Sequence, residues 1–350
     1  MTQADKTEVV VLEKNAYFYH VVGAPRAYVD ANFTNKMFVP YDNAFPKNAT
    51  KFVRIVRGVA TQISSNTNEV LYRAIDKYDM ESSATTALHF DYLVLAMGST
   101  YTVPIKQDSH DYARSATESK LQQVRSHIET ANKILVVGGG SVGCEVAAEI
   151  KAKYPEKSVT ILDAKTRLIS GSNLRDKFYA KLNASLAELA RTLWTNNGTA
   201  IESDIQLLCG GFHPVAELLQ DMDPNMVMER GAVKVNKQLQ LEGARYSNMF
   251  ALGDVCNYPS PKMSFIAGQQ GTFLAGELIA VIRKKQPSFT KPFPGAATEV
   301  MILPLGPNGG VTQLPMFGGV VMGNCVTKTI KSKDYFAGQV WSSIGATVPE

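Results

Sequence analysis

Residues 133–164 read KILVVGGGSVGCEVAAEIKAKYPEKSVTILDA. The apolar run from Lys133 to Val137 predicts a buried strand. Three glycines follow at once, and from about Ser141 to Lys153 the apolar residues take helical spacing, before Val159 to Leu162 predict a second strand. In the pattern of Gly138, Gly140 and Gly143 each glycine has its own steric reason. The first permits a tight turn, the second lets a diphosphate approach the backbone, and the third lets the helix pack closely on the strand. Unpaired N–H groups at the helix start, that of Ser141 among them, then face the phosphates. Alone, such a pattern is weak and a plain glycine turn is the alternative. Here it follows a strand, opens a helix, and has Asp163 20 residues beyond Gly143 at the end of the next strand. A carboxylate there accepts from the adenosine ribose hydroxyls and repels a 2′-phosphate. The block therefore predicts a nicotinamide-dinucleotide site that favours NADH, with Lys165 and Arg167 near enough in sequence to soften the preference.

Working outward, EVVVLEKN, Glu8 to Asn15, is a β-branched run that reads as a buried strand. From Phe52 to Phe90 apolar and polar residues alternate as in an antiparallel layer, and DYLVLAMGST, Asp91 to Thr100, reads as a fully buried strand ending in Gly98 and Ser99. Helices are predicted at roughly 113–130 and 173–190, a hairpin turn at Asn197-Gly198, and a buried strand from Ile205 to Gly211. NMFALGDVCN reads as a buried strand ended by Gly253 and Asp254, either a simple turn or a functional one. A helix from about Met263 to Lys284 follows, with Lys262 and Gln269 placed near the start where another cofactor could bind. After the linker 287–295 comes a small part with a turn at Pro307-Asn308-Gly309-Gly310.

At 350 residues the chain exceeds one ordinary core, and its 45% hydrophobic and 19% charged residues describe a globular protein. A net charge of +4, with acids and bases interspersed, leaves no nucleic-acid stripe. The run Arg283, Lys284, Lys285 reads as cations at a helix end before it reads as a membrane patch. Cys144, Cys209, Cys256 and Cys325 form no C-x-x-C pair, which argues against thiol-disulfide chemistry and against a zinc module, and no metal is expected. The sequence shows no signal core, no uninterrupted apolar span and no glycine after Met1 for acylation, so the cytoplasm is the default and Asn48-Ala49-Thr50 a chance sequon. Glu145 falls in the first turn of the glycine-turn helix, where an acid complements the helix dipole or meets the nicotinamide end, and Glu149 reads as solvated or ion-paired.

Together AYFYHVVGAPRAYVD, YLVLAMGST, the 136–162 block, LLCGG, NMFALGDVCN with PKMSFIAG, and the tail KSKDYFAGQVWSS resemble the apoptosis-inducing-factor-like and ferroptosis-suppressor group of flavoproteins. These belong to the pyridine nucleotide-disulfide oxidoreductase superfamily. The resemblance implies an α/β fold of two Rossmann-like dinucleotide-binding domains, each three-layered, and a small α+β C-terminal part. It assigns 1–110 and 231–295 to an FAD-binding domain, 111–230 to an NAD(P)H-binding domain and 296–350 to the C-terminal part. It implies FAD and NAD(P)H as cofactors, hydride passing on to a quinone-like acceptor, and membrane contact only as far as a quinone demands access to lipid. Carried over by position, Glu13 would hold the FAD ribose, Ala96, Gly98 and Ser99 would line the flavin domain, Gly253 and Asp254 would meet the ribityl and phosphate region, and Glu145 the nicotinamide end. His20 and Lys106 fall at positions near the flavin, with a core or surface role the alternative for His20. The sequence departs from the family in three places. The strand and Gly-rich turn expected ahead of EVVVLEKN are not in it, strands are missing between Ala190 and Asn197, and Met97 replaces the usual Thr. Two other readings stand beside this one: a truncated, catalytically impaired homologue that binds nicotinamide dinucleotide only, and a two-domain NAD-dependent dehydrogenase without flavin.

Overall fold

A computed structural model describes residues 7–170, 172–187, 189–193, 200–283, 288–295 and 299–349. The turn at Asn197-Gly198 and the basic pair Lys284 and Lys285 lie outside these residues. The chain gathers into two compact units, one of residues 1–16, 45–100 and 212–296, the other of 17–44, 101–211 and 297–350.

The second unit is built on the glycine-turn block. Lys133–Val137 is the middle of a parallel sheet, flanked by Ser158–Leu162 and Ile205–Leu208, with Arg191–Leu193 beyond Ser158–Leu162. Its residues Ile134, Leu135 and Val136 are all buried, as a parallel strand covered on both faces requires. Helices Arg114–Thr130, Ser141–Lys153 and Asp176–Ala187 supply the cover. The last buries Phe178, Leu182 and Leu186, a four-residue spacing that keeps them on one face. Residues 17–44, which the sequence reading placed within 1–110, and 297–350, nearly all of the expected 296–350 part, cluster with this unit. The reason is a shared core: Phe38, Leu303, Val311 and Trp341 belong to one apolar cluster with Ile134 and Ile161. The C-terminal segment forms a three-stranded antiparallel sheet, Met301–Pro304, Gly310–Leu314 and Val320–Met322, followed by short helices that include a π-helical turn at Lys328–Ser332.

The first unit has a separate core around Ile63, Val70, Leu95, Met249, Ala251 and Val255. Val53–Ser64, Glu69–Ile75 and Glu81–His89 form the expected antiparallel layer. Val9–Glu13 pairs in parallel with Val53–Ser64, and Leu93–Leu95 in parallel with Met249–Ala251. Neither of the two short strands is buried as its sequence predicts. Val9 and Val11 are 44% and 38% exposed and Val94 37%, because each strand is hydrogen-bonded along one edge only among the described residues. Helix Ser264–Ile282 buries Ile266, Gln270, Leu274 and Glu277. By length and composition it could cross a membrane, a test that core helices also pass, and its glutamines and Glu277 interrupt any continuous apolar run.

Leu182, fully buried in the second core, measures what that core contributes. Leu182→Ala should lower the unfolding free energy by about 2–5 kcal/mol in chemical denaturation.

Candidate functional site

The glycine turn takes its shape from contacts that leave no room for side chains. Gly138 has φ +116°, donates its N–H to the Leu162 carbonyl at 2.7 Å, and a Cβ on it would lie 2.3 Å from the Cys209 carbonyl oxygen. A Cβ on Gly143 would lie 1.9 Å from the Gly138 carbonyl oxygen, so the helix start is pressed against the strand end. Gly140 differs. It precedes the helix in extended conformation, and nothing lies within 4 Å of where its Cβ would be. The first helical N–H groups, from Ser141 on, have no partner within the helix and flank this opening. Asp163 accepts from the N–H of Gly139 at 2.5 Å and from that of Lys165 at 2.7 Å, so the carboxylate is locked to the turn while both oxygens keep acceptor capacity. Lys165 is exposed, and the Arg167 guanidinium lies over the Tyr179 ring at 3.9 Å. These residues fit a nicotinamide dinucleotide: a diphosphate has space over Gly140, and a sugar has the carboxylate.

Behind the turn lies a buried ionic cluster. Glu145 is buried and accepts from the Lys331 ammonium at 2.8 Å. Burial pushes its pKa up and Lys331 draws it back. Glu149 takes both the Nε and Nη2 of Arg26, at 2.6 and 2.8 Å, and the Tyr335 hydroxyl at 3.0 Å. Neither acid merely complements the dipole or faces solvent. The cluster was not foreseen in Arg26, Lys331 or Tyr335, although two acids one turn apart on an otherwise apolar helix face were a signal that buried cations must answer them. His20 is also buried, its Nε2 2.8 Å from the Tyr335 carbonyl oxygen, so it belongs to the core of this unit. Lys106 is half-buried in the loop before helix Arg114–Thr130.

In the first unit the structure brings the ends of two strands together. The Ser99 hydroxyl donates to Asp254 Oδ2 at 2.7 Å, and Gly253, at φ +74°, donates its N–H to Gln270 Oε1 at 2.8 Å. Gly98, at φ +70°, faces open space, and Ala96 is exposed. Glu13 ends its strand accepting from the Asn15 N–H at 2.9 Å, and burial pushes its pKa up. Lys262 does not await a ligand at the helix start. Its ammonium donates to the carbonyls of Gly253, Cys256 and Tyr258 and holds that loop closed, while Gln269 is exposed. Among the buried polar atoms of this unit without a hydrogen-bond partner are Asn15 Oδ1, Ser65 Oγ, Ser260 Oγ and Gln270 Nε2. Gln270 Nε2 lies on the side chain that receives the Gly253 N–H, where a polar ligand could satisfy it. Among the described residues of this unit, no strand, glycine turn and α-helix follow one another directly as they do in the second unit.

The family model described as pyridine nucleotide-disulphide oxidoreductase matches residues 3–271. The chain belongs to this family. Family members are FAD-containing NAD(P)H oxidoreductases, and the chain is an NAD(P)H-dependent flavoprotein oxidoreductase by membership. It is 27% identical to ferroptosis suppressor protein 1 of Homo sapiens over 369 residues, covering 99% of this chain and 92% of that one. It is 27% identical to apoptosis-inducing factor homolog B of Dictyostelium discoideum over 380 residues, covering 98% and 92%. The fold is shared with NDH2 from Plasmodium falciparum in complex with NADH, at TM-score 0.68 and 12% identity, covering 96% of this chain and 93% of that one. It is shared equally with the sulfide:quinone oxidoreductase of Aquifex aeolicus, at TM-score 0.68 and 14% identity, covering 97% and 86%.

Two measurements check this geometry. Gly143→Ala should cost about 1–3 kcal/mol or more of stability through overpacking, whereas Gly140→Val, with open space for its side chain, should unfold like the parent and lose NADH affinity. Burial lowers the His20 pKa below 6.5, opposed by the Tyr335 carbonyl and Asp334 and reinforced by Lys331. At pH just below 6.5 the unfolded chain therefore binds more protons than the folded one, and stability falls as pH drops from 7 toward the lowered value. His20→Gln should flatten that part of the pH dependence of the unfolding midpoint.

Proposed function

We propose that this family member is an FAD-dependent NAD(P)H oxidoreductase that delivers reducing equivalents from NADH to a quinone-like acceptor. The single observation that carries the reading is the opening over Gly140 beside the locked carboxylate of Asp163. In this proposal Gly138, Gly140, Ser141 and Gly143 hold the diphosphate and Asp163 the adenosine ribose. Glu145, neutralised by Lys331, stands toward the nicotinamide end. Glu13, Ala96, Gly98, Ser99, Gly253 and Asp254 belong to the flavin side. A bound flavin supplies the two-electron chemistry that no side chain here can, and the protein supplies binding and orientation.

The acceptor is proposed from the resemblance to the ferroptosis-suppressor group and from the shared fold with a protein whose name includes quinone. Thiol chemistry has little support in the chain itself: Cys144, Cys209 and Cys256 are buried, and burial pushes the Cys209 thiol up to about 12. In this proposal the chain works in the cytoplasm and meets its acceptor at a lipid surface. The nicotinamide-only reading draws on the described residues of the first unit, where no second glycine turn opens an α-helix, and it makes a different prediction in the same assay.

With saturating FAD and a short-chain quinone, the purified chain should oxidise NADH, and Gly140→Val should lower kcat/KM by about a hundredfold, near 2.7 kcal/mol of lost binding. An equal rate from the variant, or no oxidation by the parent, would contradict the proposal.

A further inference from the structure

We infer that the hairpin tip of residues 315–318 is a contact surface for anionic phospholipid, with Met316 and Phe317 entering the bilayer interface and Arg175, Lys177 and Lys181 meeting its headgroups. The inference rests for its purpose on the reading above, in which the acceptor is met at a lipid surface. Its location rests on the exposure, backbone and charge of the tip itself.

The tip joins strands Gly310–Leu314 and Val320–Met322 of the C-terminal sheet. Its four residues are exposed, Phe317 at 91% and Met316 at 53%, and no other large apolar side chain among the described residues is as exposed as Phe317. Folding gives no reason for an aromatic ring there, because it keeps its apolar area in water and adds nothing to the core. The backbone adds a second cost. Phe317 has φ +49° and ψ +40°, a left-handed conformation that glycine or asparagine adopts with less strain than a bulky residue. Gly318 and Gly319 follow at φ +71° and +109°, so the same turn has glycine at its other left-handed positions.

The charges around the tip have the sign that such a surface requires. A Cβ on Gly318 would lie 3.6 Å from Arg175 Nη2 and one on Gly319 3.5 Å from Arg175 Nε, so the guanidinium runs along the loop. A Cβ on Gly323, just after the second strand, would lie 3.6 Å from Lys181 Nζ. Lys177 stands one turn before Lys181 on helix Asp176–Ala187, and all three cations are exposed. Two acids share the region: Asp176 is exposed, and Glu299 is half-buried with its carboxylate accepting the Asn173 N–H. Long cationic side chains keep their charge at headgroup level while an aromatic tip goes deeper. A tip of four residues is far smaller than the roughly 800 Å² per partner that a stable protein interface covers, whereas a bilayer needs only a protruding apolar group and cations beside it. A second exposed apolar pair, Tyr78 and Met80 in the first unit, lies in a turn with Asp76, Lys77 and Asp79, whose charge does not favour an anionic surface. That turn serves as an internal control.

The test is co-sedimentation of the full chain with vesicles of phosphatidylcholine alone or with about 30% phosphatidylserine. The parent should bind the mixed vesicles at least about tenfold more tightly than the neutral ones, and added salt should weaken that binding. Phe317→Asn, which suits the left-handed backbone, should unfold at the parent's temperature or above and bind mixed vesicles about tenfold or more weakly. Arg175→Gln, Lys177→Gln and Lys181→Gln together should weaken binding by about fivefold per charge and remove most of its salt dependence. Met80→Ser should bind as the parent does. Equal binding by the parent and Phe317→Asn overturns the inference and places the contact elsewhere, for example on the exposed Phe265 and Ile279. Failure of the parent to bind mixed vesicles also overturns it; self-association of the parent that Phe317→Asn abolishes would then assign the tip to a second copy. NADH oxidation with a short-chain quinone in lipid-free buffer is read on the same samples. Oxidation without vesicle binding overturns this inference alone, and vesicle binding without oxidation overturns only the proposed function.

Discussion

The second unit depends on one close approach, between the Gly138 carbonyl just after a central strand and the backbone of Gly143 in the first turn of the following helix. Only residues without a Cβ allow it. Their contact brings the helix start to the strand end, leaves its first amides unpaired, and opens the space over Gly140. Asp163 then fastens the neighbouring strand to the turn through the Gly139 N–H. Sheet order, core and site in this unit follow from that local geometry.

The cluster behind the turn has a different origin. Helix Ser141–Lys153 is buried over most of its length, yet it carries two acids on its covered face. A carboxylate can stay ionised there only beside a cation, and removing one partner of such a pair typically costs about 3–5 kcal/mol. Arg26 answers Glu149 from a segment far upstream, and Lys331 answers Glu145 from the π-helical turn near the C-terminus. These pairs, with Tyr335 and His20, tie both ends of the second unit to helix Ser141–Lys153.

The glycine turn was legible as a structure because its requirements are local: three glycines at fixed spacing, a helix start, and an acid one strand later. The antiparallel layer from Val53 to His89 was legible through its alternation. The ionic cluster was not, since Arg26 and Lys331 lie 123 and 186 residues from the acids they meet. Burial was misread in Val9–Glu13 and Leu93–Leu95 for a related reason. β-Branched composition records what a strand tolerates, while burial depends on which strand lies beside it, and among the described residues each has one neighbour. Lys262 looked like a ligand-binding cation at a helix start, but the carbonyls of its own loop compete for it successfully.

The central claim is that the amides of the glycine turn grip the coenzyme diphosphate. Hydrogen exchange of the full chain with and without NADH tests it most directly. Slowed exchange should concentrate in the amides of Gly140 to Gly143 and in the 163–169 loop. Coenzyme binding that leaves those amides exchanging as before, with protection arising elsewhere in the chain, would contradict it.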